Sequence, residues 1–489
     1  MNKYSPILLI FTAFFTLILT ACIQQGQETD DSLIEPKGTV QLQDQAEENP
    51  YKSIEEDATS TFSIDVDTAS YSIMRQALLN DKLPNPSTVR LEEYVNYFNY
   101  EYPAPSDEAG APFTIQTEFA ESPWNPGRQL IKIGLKGREI EVENFGQHNL
   151  VFLIDTSGSM SASNKLPLLK SALNLLVDQL SSSDSIAIVT YAGSAGIALE
   201  ATSGDQKATI KDAINRLKSS GYTNGEQGIQ LAYSIASANF ISNGNNRVIL
   251  ATDGDFNVGQ TDSNALVSLI QTKSEGGIYL TALGFGMNYN DAMLESLADK
   301  GDGNYAYIDT LTEAKKVLVE NIGGTLLTIA KDVKIQVEFN PETVSEYRLL
   351  GYNNRRLQNQ DFQDDSKDAG EIGAGHTVTA FYEIVLQPDV VADNQTNIAE
   401  IRLRYKNPKE TISQLLTQSI TAQSQVSDDF YFAAAVAEFA LLLENSPEIG
   451  QASYEHVIAL ANTFQGADLR GYRQEFIQLA EKAQKLTGE

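Results

Sequence analysis

The sequence predicts an α/β protein in which a doubly wound, mostly parallel sheet is inserted into a β-sandwich, with α-rich segments at both ends. Three observations support this fold class. Buried strands and amphipathic helices alternate strictly over residues 148–328, as in a parallel sheet covered on both faces. Strands of alternating polarity precede this region and return after residue 330. Helical spacing dominates before residue 110 and after residue 426.

Composition limits the classes of partner. The chain has 489 residues, of which 42% are hydrophobic and 20% are charged, which is enough for two or three domains with their own cores. Its 65 acidic and 35 basic residues give a formal charge of -30. Such a charge repels phosphate backbones, so we expect no nucleic-acid partner.

Residues 1–22 are typical of a lipoprotein signal peptide. Lys3 precedes an apolar run of about 13 residues, shorter than the roughly 20 needed to span a bilayer, and the run ends in Leu19-Thr20-Ala21-Cys22. This tetrad resembles a bacterial lipobox. Cys22 is the sole cysteine, so it has no internal disulfide partner, and we predict lipid attachment at its sulfur. An uncleaved leader followed by an idle thiol is the alternative.

Residues 23–60 predict a disordered acidic tether, because the stretch is rich in Gln, Glu and Asp and poor in large apolar residues. With two acyl chains at Cys22, the protein is expected to be exported and anchored to a bacterial membrane, at the outer membrane or the cell surface or periplasmic face. Ile23 after the cysteine is compatible with an outer-membrane destination in a cell with two membranes.

Four further segments follow from local patterns. Residues 61–110 predict an N-terminal helical module with a leading strand over 62–67 and helices over 70–80 and 90–98. Asp65 and Asp67 are interpreted as solvated carboxylates at a strand end, with a second ion site as the alternative. The β-sandwich combines strands in 111–147 with a remainder in 329–425, and helices return in 426–489. The predicted strands and C-terminal helices are 113–119, 130–135, 333–339, 378–386, 398–405, 430–443, 452–464 and 471–486.

A run of oxygen-bearing side chains follows the most apolar strand. Leu150 to Ile154 is uninterrupted by polar residues, as expected of a central strand, and the loop Asp155-Thr156-Ser157-Gly158-Ser159 comes directly after it. Gly158 allows Asp155, Ser157 and Ser159 to face one side of the turn. A helix is predicted over 165–180. These ligands therefore lie at the carboxyl edge of the sheet, where this fold class binds ligands.

Two later segments end other elements of the same sheet. They are Gly221-Tyr222-Thr223-Asn224-Gly225 and Val248-Ile249-Leu250-Ala251-Thr252-Asp253-Gly254. Together with the first loop they resemble the metal-ion-dependent adhesion site of von Willebrand factor type A (VWA) domains. The resemblance covers about 148–328 and implies a VWA, Rossmann-like fold. It implies that Asp155, Ser157 and Ser159 line the cation, that Thr223 completes the site, and that Asp253 acts directly or through water.

The donor types agree with a hard cation. Two carboxylates and three hydroxyls suit Mg²⁺, with Mn²⁺ or Ca²⁺ as substitutes. An open coordination position would accept an Asp or Glu side chain from a protein partner. The alternative is that these residues only cap helices and turn loops.

The flanking segments extend the resemblance. Residues 63–71, residues 346–352 and the helix around 432–443 are similar to those of bacterial YfbK-like lipoproteins, which combine a VWA domain with N- and C-terminal companions. This family implies an exported surface or periplasmic protein, and the resemblance adds architecture more than function.

Other motifs and classes are disfavoured. Asp253-Gly254-Asp255-Phe256-Asn257 begins like a calcium loop but lacks its later glycine and glutamate. Gly284-Phe285-Gly286 lacks a third glycine and is interpreted as a tight turn. The three histidines, His148, His376 and His456, show no metal-binding or catalytic spacing, so no enzyme is predicted. A scaffold that assembles a membrane complex remains the alternative to adhesion.

Overall fold

The computed structural model describes residues 48–106, 110–140, 146–221, 225–254, 263–286, 291–422 and 426–488. The strands are β1 (Lys52–Ser53), β2 (Thr59–Ser63), β3 (Phe113–Glu121), β4 (Gln129–Gly137), β5 (His148–Asp155), β6 (Ser185–Tyr191), β7 (Ala195–Ser203), β8 (Asn245–Thr252), β9 (Ile278–Gly284), β10 (Tyr305–Tyr307), β11 (Thr328–Phe339), β12 (Val344–Leu350), β13 (Gly370–Gly373), β14 (Thr377–Leu386), β15 (Asn397–Lys406) and β16 (Gln414–Thr421). The α-helices are α1 (Ala69–Leu79), α2 (Leu91–Val95), α3 (Leu166–Gln179), α4 (Lys207–Arg216), α5 (Gly225–Ala238), α6 (Ser263–Glu275), α7 (Asp291–Lys300), α8 (Leu311–Lys315), α9 (Ile322–Leu326), α10 (Asp428–Glu444), α11 (Tyr454–Thr463) and α12 (Tyr472–Thr487).

Two antiparallel sheets form the predicted sandwich. One has the order β1-β12-β14-β4-β3, and the other has the order β13-β11-β15-β16 with β2 also paired to β11. Apolar residues at alternate positions, such as Val333 and Val337 on β11, meet Ile131 and Ile133 of β4 in one core. Strands from before and after the inserted region therefore build a single sandwich, which confirms the predicted fold class.

The inserted α/β unit has one six-stranded sheet of order β10-β9-β8-β5-β6-β7, parallel except for the edge strand β7. Every residue of β5 is buried. Leu150, Phe152 and Ile154 pack into the helical layer on one face, whereas Val151 and Leu153 pack into the layer on the other. This two-sided burial explains the uninterrupted apolar run of a central parallel strand.

The helices at the two ends of the chain share one core, in which the helices of the predicted N-terminal module over 61–110 pack against the C-terminal helices. Phe98 contacts Phe432 and Phe476, with ring centroids 5.1 and 5.7 Å apart. Helix α10 is apolar nearly all round because α2, α11 and the sandwich surround it. The N-terminal and C-terminal helices therefore form one unit, and β2 belongs to the sandwich.

Regular structure begins before residue 61, so the predicted boundary of the tether at 23–60 is wrong at its C-terminal end. β1 pairs with β12 and β2 pairs with β11. Asn49 donates to the carbonyl oxygens of Leu349 and Gly351 at 3.1 and 2.7 Å. Backbone pairing and polar contacts order residues 48–60, with Ile54 as a single large buried side chain, so a criterion based on apolar content misses this stretch. Residues 23–47 lie outside the described residues, as does Cys22.

No helix in the described part of the chain is both long enough and apolar enough to cross a bilayer.

Candidate metal centre

Asp155 lies at the carboxyl end of β5, between the parallel neighbours β6 and β8. Its side chain is fully buried. The backbone N–H of Ser157 donates to Oδ1 at 2.8 Å, and the hydroxyl of Thr252 donates to Oδ2 at 3.1 Å. Burial raises the pKa of Asp155, the hydrogen bonds from Ser157 oppose that shift, and the charge of Asp253 adds to it. The carboxylate is therefore fixed in orientation at the edge of the sheet.

Ser157 and Ser159 follow in the loop, and their hydroxyl oxygens lie 2.8 Å apart. Ser157 is buried and Ser159 is exposed. The N–H of Gly158 donates to the carbonyl of Gly221 at 3.0 Å, and the N–H of Ser220 donates to the carbonyl of Thr156 at 2.7 Å. The loop is thus held against the segment that leads toward the second predicted motif.

Asp253 follows β8 and is buried. Its Oδ2 accepts a hydrogen bond from Nζ of Lys165 at 2.7 Å. Its Oδ1 is buried and has no hydrogen-bond partner among the described residues. A Cβ atom at Gly286 would overlap with Cε of Lys165, so glycine at this position leaves room for the lysine. Gly286 has φ +85°, as expected for the predicted turn.

Two predicted features lie outside the described residues. They are Thr223 and the part of the disfavoured calcium loop that follows Gly254. The structure places Asp155, Ser157, Ser159 and Asp253 at one edge of the sheet, through the ends of the adjacent strands β5 and β8.

Sequence reasoning missed Lys165 and Thr252. Thr252 donates to Asp155 and accepts from the N–H of Gly254 at 3.2 Å. Its position beside Asp253 in the third motif was a usable signal. Lys165 carries no such signal, because only the folded chain brings it to Asp253.

The donor set fits a hard divalent cation. Oxygen donors from Asp155, Asp253 and the two serines are the ligand types that Mg²⁺ and Ca²⁺ prefer. The buried Oδ1 of Asp253 is a polar atom that a bound cation would satisfy. Asp155, Ser157, Ser159 and Asp253 would hold the ion.

The three histidines lie elsewhere. His148 begins β5, at the opposite end of the strand from Asp155. The ring of His376 packs against Gly324, and Nδ1 of His456 lies 2.8 Å from Glu438. None contributes nitrogen to the candidate centre.

Asp65 and Asp67 are buried, which corrects their interpretation as solvated carboxylates. Arg355 lies 3.2 Å from Asp65 and 3.6 Å from Asp67, and its guanidinium also contacts Asp299 at 2.7 Å. The N–H of Tyr305 donates to Asp67 at 2.9 Å. Burial, followed by the charge of Asp65, raises the pKa of Asp67. Both carboxylates are paired because isolated buried charge is unfavourable.

Comparisons with known proteins agree with this architecture. Family profiles match residues 149–320 as von Willebrand factor type A domain, residues 40–132 as von Willebrand factor, and residues 324–486 as the C-terminal region of uncharacterized protein YfbK. The chain is thus a VWA-domain protein, a class of modules that commonly mediate protein–protein interaction and often bind divalent metals.

One relative narrows the assignment from VWA-domain proteins in general to a particular family. Uncharacterized protein YfbK of Escherichia coli (strain K12) is 42% identical over 475 residues, covering 92% of this chain and 82% of that protein. Uncharacterized protein sll0103 of Synechocystis is 26% identical, covering 58% of this chain and 67% of its own. A solved von Willebrand factor type A protein from Catenulispora acidiphila aligns with a TM-score of 0.43 and 15% identity, covering 76% of this chain and 89% of that one. The chain belongs to the YfbK-like family of bacterial VWA proteins.

Proposed function

We propose that the protein binds a protein partner through a divalent cation, and that an Asp or Glu of the partner completes the coordination. The residues that hold the cation are Asp155, Ser157, Ser159, Thr223 and Asp253. The observation that carries the proposal is the buried Oδ1 of Asp253, which has no hydrogen-bond partner among the described residues and lies at the strand end next to Asp155. Two carboxylates nearly neutralise the ion. A third carboxylate, from the partner, can therefore bind the ion directly without leaving a large uncompensated charge at the site. Mg²⁺ is the proposed ion, with Mn²⁺ or Ca²⁺ as substitutes.

The proposed setting is the cell envelope. Lipid attached to Cys22 would anchor the protein to a membrane, at the outer membrane or the cell surface or periplasmic face. Incorporation of a labelled fatty acid into the wild type, and its loss in Cys22→Ser, is the expected result. Equal labelling of the two proteins would contradict the anchor.

Binding rather than catalysis is the proposed activity. The three histidines lie away from the centre, and the basic group that contacts Asp253 among the described residues is Lys165, which is paired with it. A hydrolytic mechanism would require a general base within reach of metal-bound water. We therefore expect no turnover on peptide, phosphoester or glycoside substrates.

Calorimetry of Mg²⁺ and Mn²⁺ with chelated, detergent-solubilised protein tests the metal centre. Saturable binding is expected in the wild type and its loss in Asp155→Ala. Asp178→Ala is the matched control, because Asp178 is an exposed aspartate of the same domain whose pair with Lys211 lies on the surface. Absence of binding in the wild type would overturn the proposal.

Recovery of partners from solubilised membranes, with and without chelator, tests the interaction. A partner retained only with Mg²⁺, and lost with Asp155→Ala, supports recognition through the cation. Retention that is independent of the metal would favour a scaffold that docks through another surface.

A further inference from the structure

A second group of carboxylates lies where the inserted domain meets the sandwich. Asp302 lies between α7 and β10 of the inserted domain, whereas Glu371 lies on β13 of the sandwich and Asp368 just before that strand. One carboxylate oxygen from each of the three residues lies within 4.8 Å of the others. Asp302 precedes β10, so this group lies at the amino edge of the parallel sheet, opposite the edge that carries Asp155.

Glu371 is the member that most needs a counter-charge. It is 7% exposed, and its carboxylate makes no hydrogen bond or ion pair with any residue that the structure describes. Burial, followed by the charges of Asp302 and Asp368, raises the pKa of Glu371 well above its ordinary value. A buried carboxylate aimed at two others is unfavourable unless it is protonated or a cation lies between them.

The basic side chains nearby contact only the outer members. Nζ of Lys300 lies 2.7 Å from Asp368, and Nζ of Lys331 lies 4.0 Å from Asp302. Arg247 is buried on the same side, where the charges of Glu371 and Asp302 act on it, and its guanidinium donates to Thr281 at 2.7 Å. Asp299 and Asp332 also lie near Glu371, but they are paired with Arg355 and Lys406, each at 2.7 Å. Two ammonium groups therefore contact the outer carboxylates of the group, and neither of them contacts Glu371.

We propose that Asp302, Asp368 and Glu371 bind one Ca²⁺ that ties the inserted domain to the sandwich. Three carboxylates from separate elements supply up to six oxygens, and the exposed side of Asp368 admits water. Ca²⁺ accepts six to eight oxygen ligands in flexible geometry, whereas Mg²⁺ demands a near-ideal octahedron. This site is independent of the proposed adhesion site, since it shares no residue with it.

Calcium titration of the full chain carrying Asp155→Ala tests the proposal without interference from the first centre. Calorimetry is expected to show one saturable Ca²⁺ site, and Ca²⁺ is expected to raise Tm by about 2 °C or more at a large excess over Kd. Adding Glu371→Gln should abolish both effects. Asp368→Asn, at an exposed position that threatens folding little, should weaken binding at least about tenfold.

Glu338→Gln is the matched control, because Glu338 is a partly exposed glutamate of β11 outside the group. It should leave Ca²⁺ binding unchanged. The proposal is overturned if Asp155→Ala protein shows neither heat of binding nor a shift in Tm, or if Glu371→Gln and Asp368→Asn bind Ca²⁺ as Asp155→Ala does. The first result would mean that Glu371 is held as a neutral acid, and the second would mean that Ca²⁺ binds elsewhere on the protein.

Discussion

The ammonium group of Lys165 lies 2.7 Å from Oδ2 of Asp253, at the edge of the candidate metal centre. Lys165 is largely buried, and Gly286 leaves space for its chain. The centre therefore contains a cation of its own. A divalent ion that uses Asp253 must either displace this ammonium or bind beside it.

Lys165→Met is expected to tighten Mg²⁺ binding by about tenfold or more, equivalent to about 1.4 kcal/mol. Both displacement and charge repulsion oppose the metal in the wild type, and the substitution removes both. Calorimetry gives the affinity. Lys170→Met, in the following helix α3, is the control, since Lys170 donates to the carbonyl of Asn215. Unchanged or weaker binding in Lys165→Met would show that the lysine does not compete.

Thr252→Val is expected to weaken Mg²⁺ binding by about tenfold, because the hydroxyl that orients Asp155 is lost while the side-chain shape is kept. Thr190→Val on β6 is the control, since the Thr190 hydroxyl contacts Gly196 rather than the centre. The same titration measures both variants. An affinity equal to that of the wild type would exclude a positioning role for Thr252.

Arg75→Met is expected to destabilise the protein by about 3–5 kcal/mol, because it strips the counter-charge from buried carboxylates. Nε of Arg75 lies 2.8 Å from Asp309, and Nη2 lies 2.7 Å from Glu313. Denaturant unfolding measures the loss. Glu475→Gln removes a partly exposed partner of the same arginine and should cost less than about 1 kcal/mol. Similar costs for the two variants would contradict this account.

His376 should make stability fall as the pH drops from about 6.5 toward 4. Burial, followed by the charge of Lys136, lowers the pKa of His376 to about 4. Above about pH 6.5 the ring is neutral in both the folded and the unfolded state. Between about pH 6.5 and 4 the ring is protonated in the unfolded chain but stays neutral in the folded chain. This difference lowers the free energy of unfolding by at most about 3 kcal/mol. Urea unfolding between about pH 4 and 8 should show a shallower dependence in His376→Gln. Parallel pH profiles would refute the assignment.

Local patterns predicted the inserted sheet and most of the candidate centre. The apolar run of β5 and the oxygen-rich loop from Asp155 to Ser159 are contiguous in sequence, so their structure follows from short-range rules. Pairings between distant residues were not predictable in this way. Arg355 meets Asp65 across 290 positions, and Lys165 meets Asp253 across 88. Such contacts depend on how the helices and strands pack together, and the periodic pattern of apolar residues in the sequence does not encode that packing.

The pairing of β2 with β11 has a mechanical consequence. The N-terminal segment of the chain enters β2 at Thr59, and the inserted domain is followed directly by β11, which begins at Thr328. The strands are antiparallel, with Thr59 opposite Glu338 and Ser63 opposite Lys334. A pull between the N-terminus and the inserted domain would load this pair at opposite ends. The ladder would then be sheared with its hydrogen bonds sharing the force, instead of being opened one bond at a time.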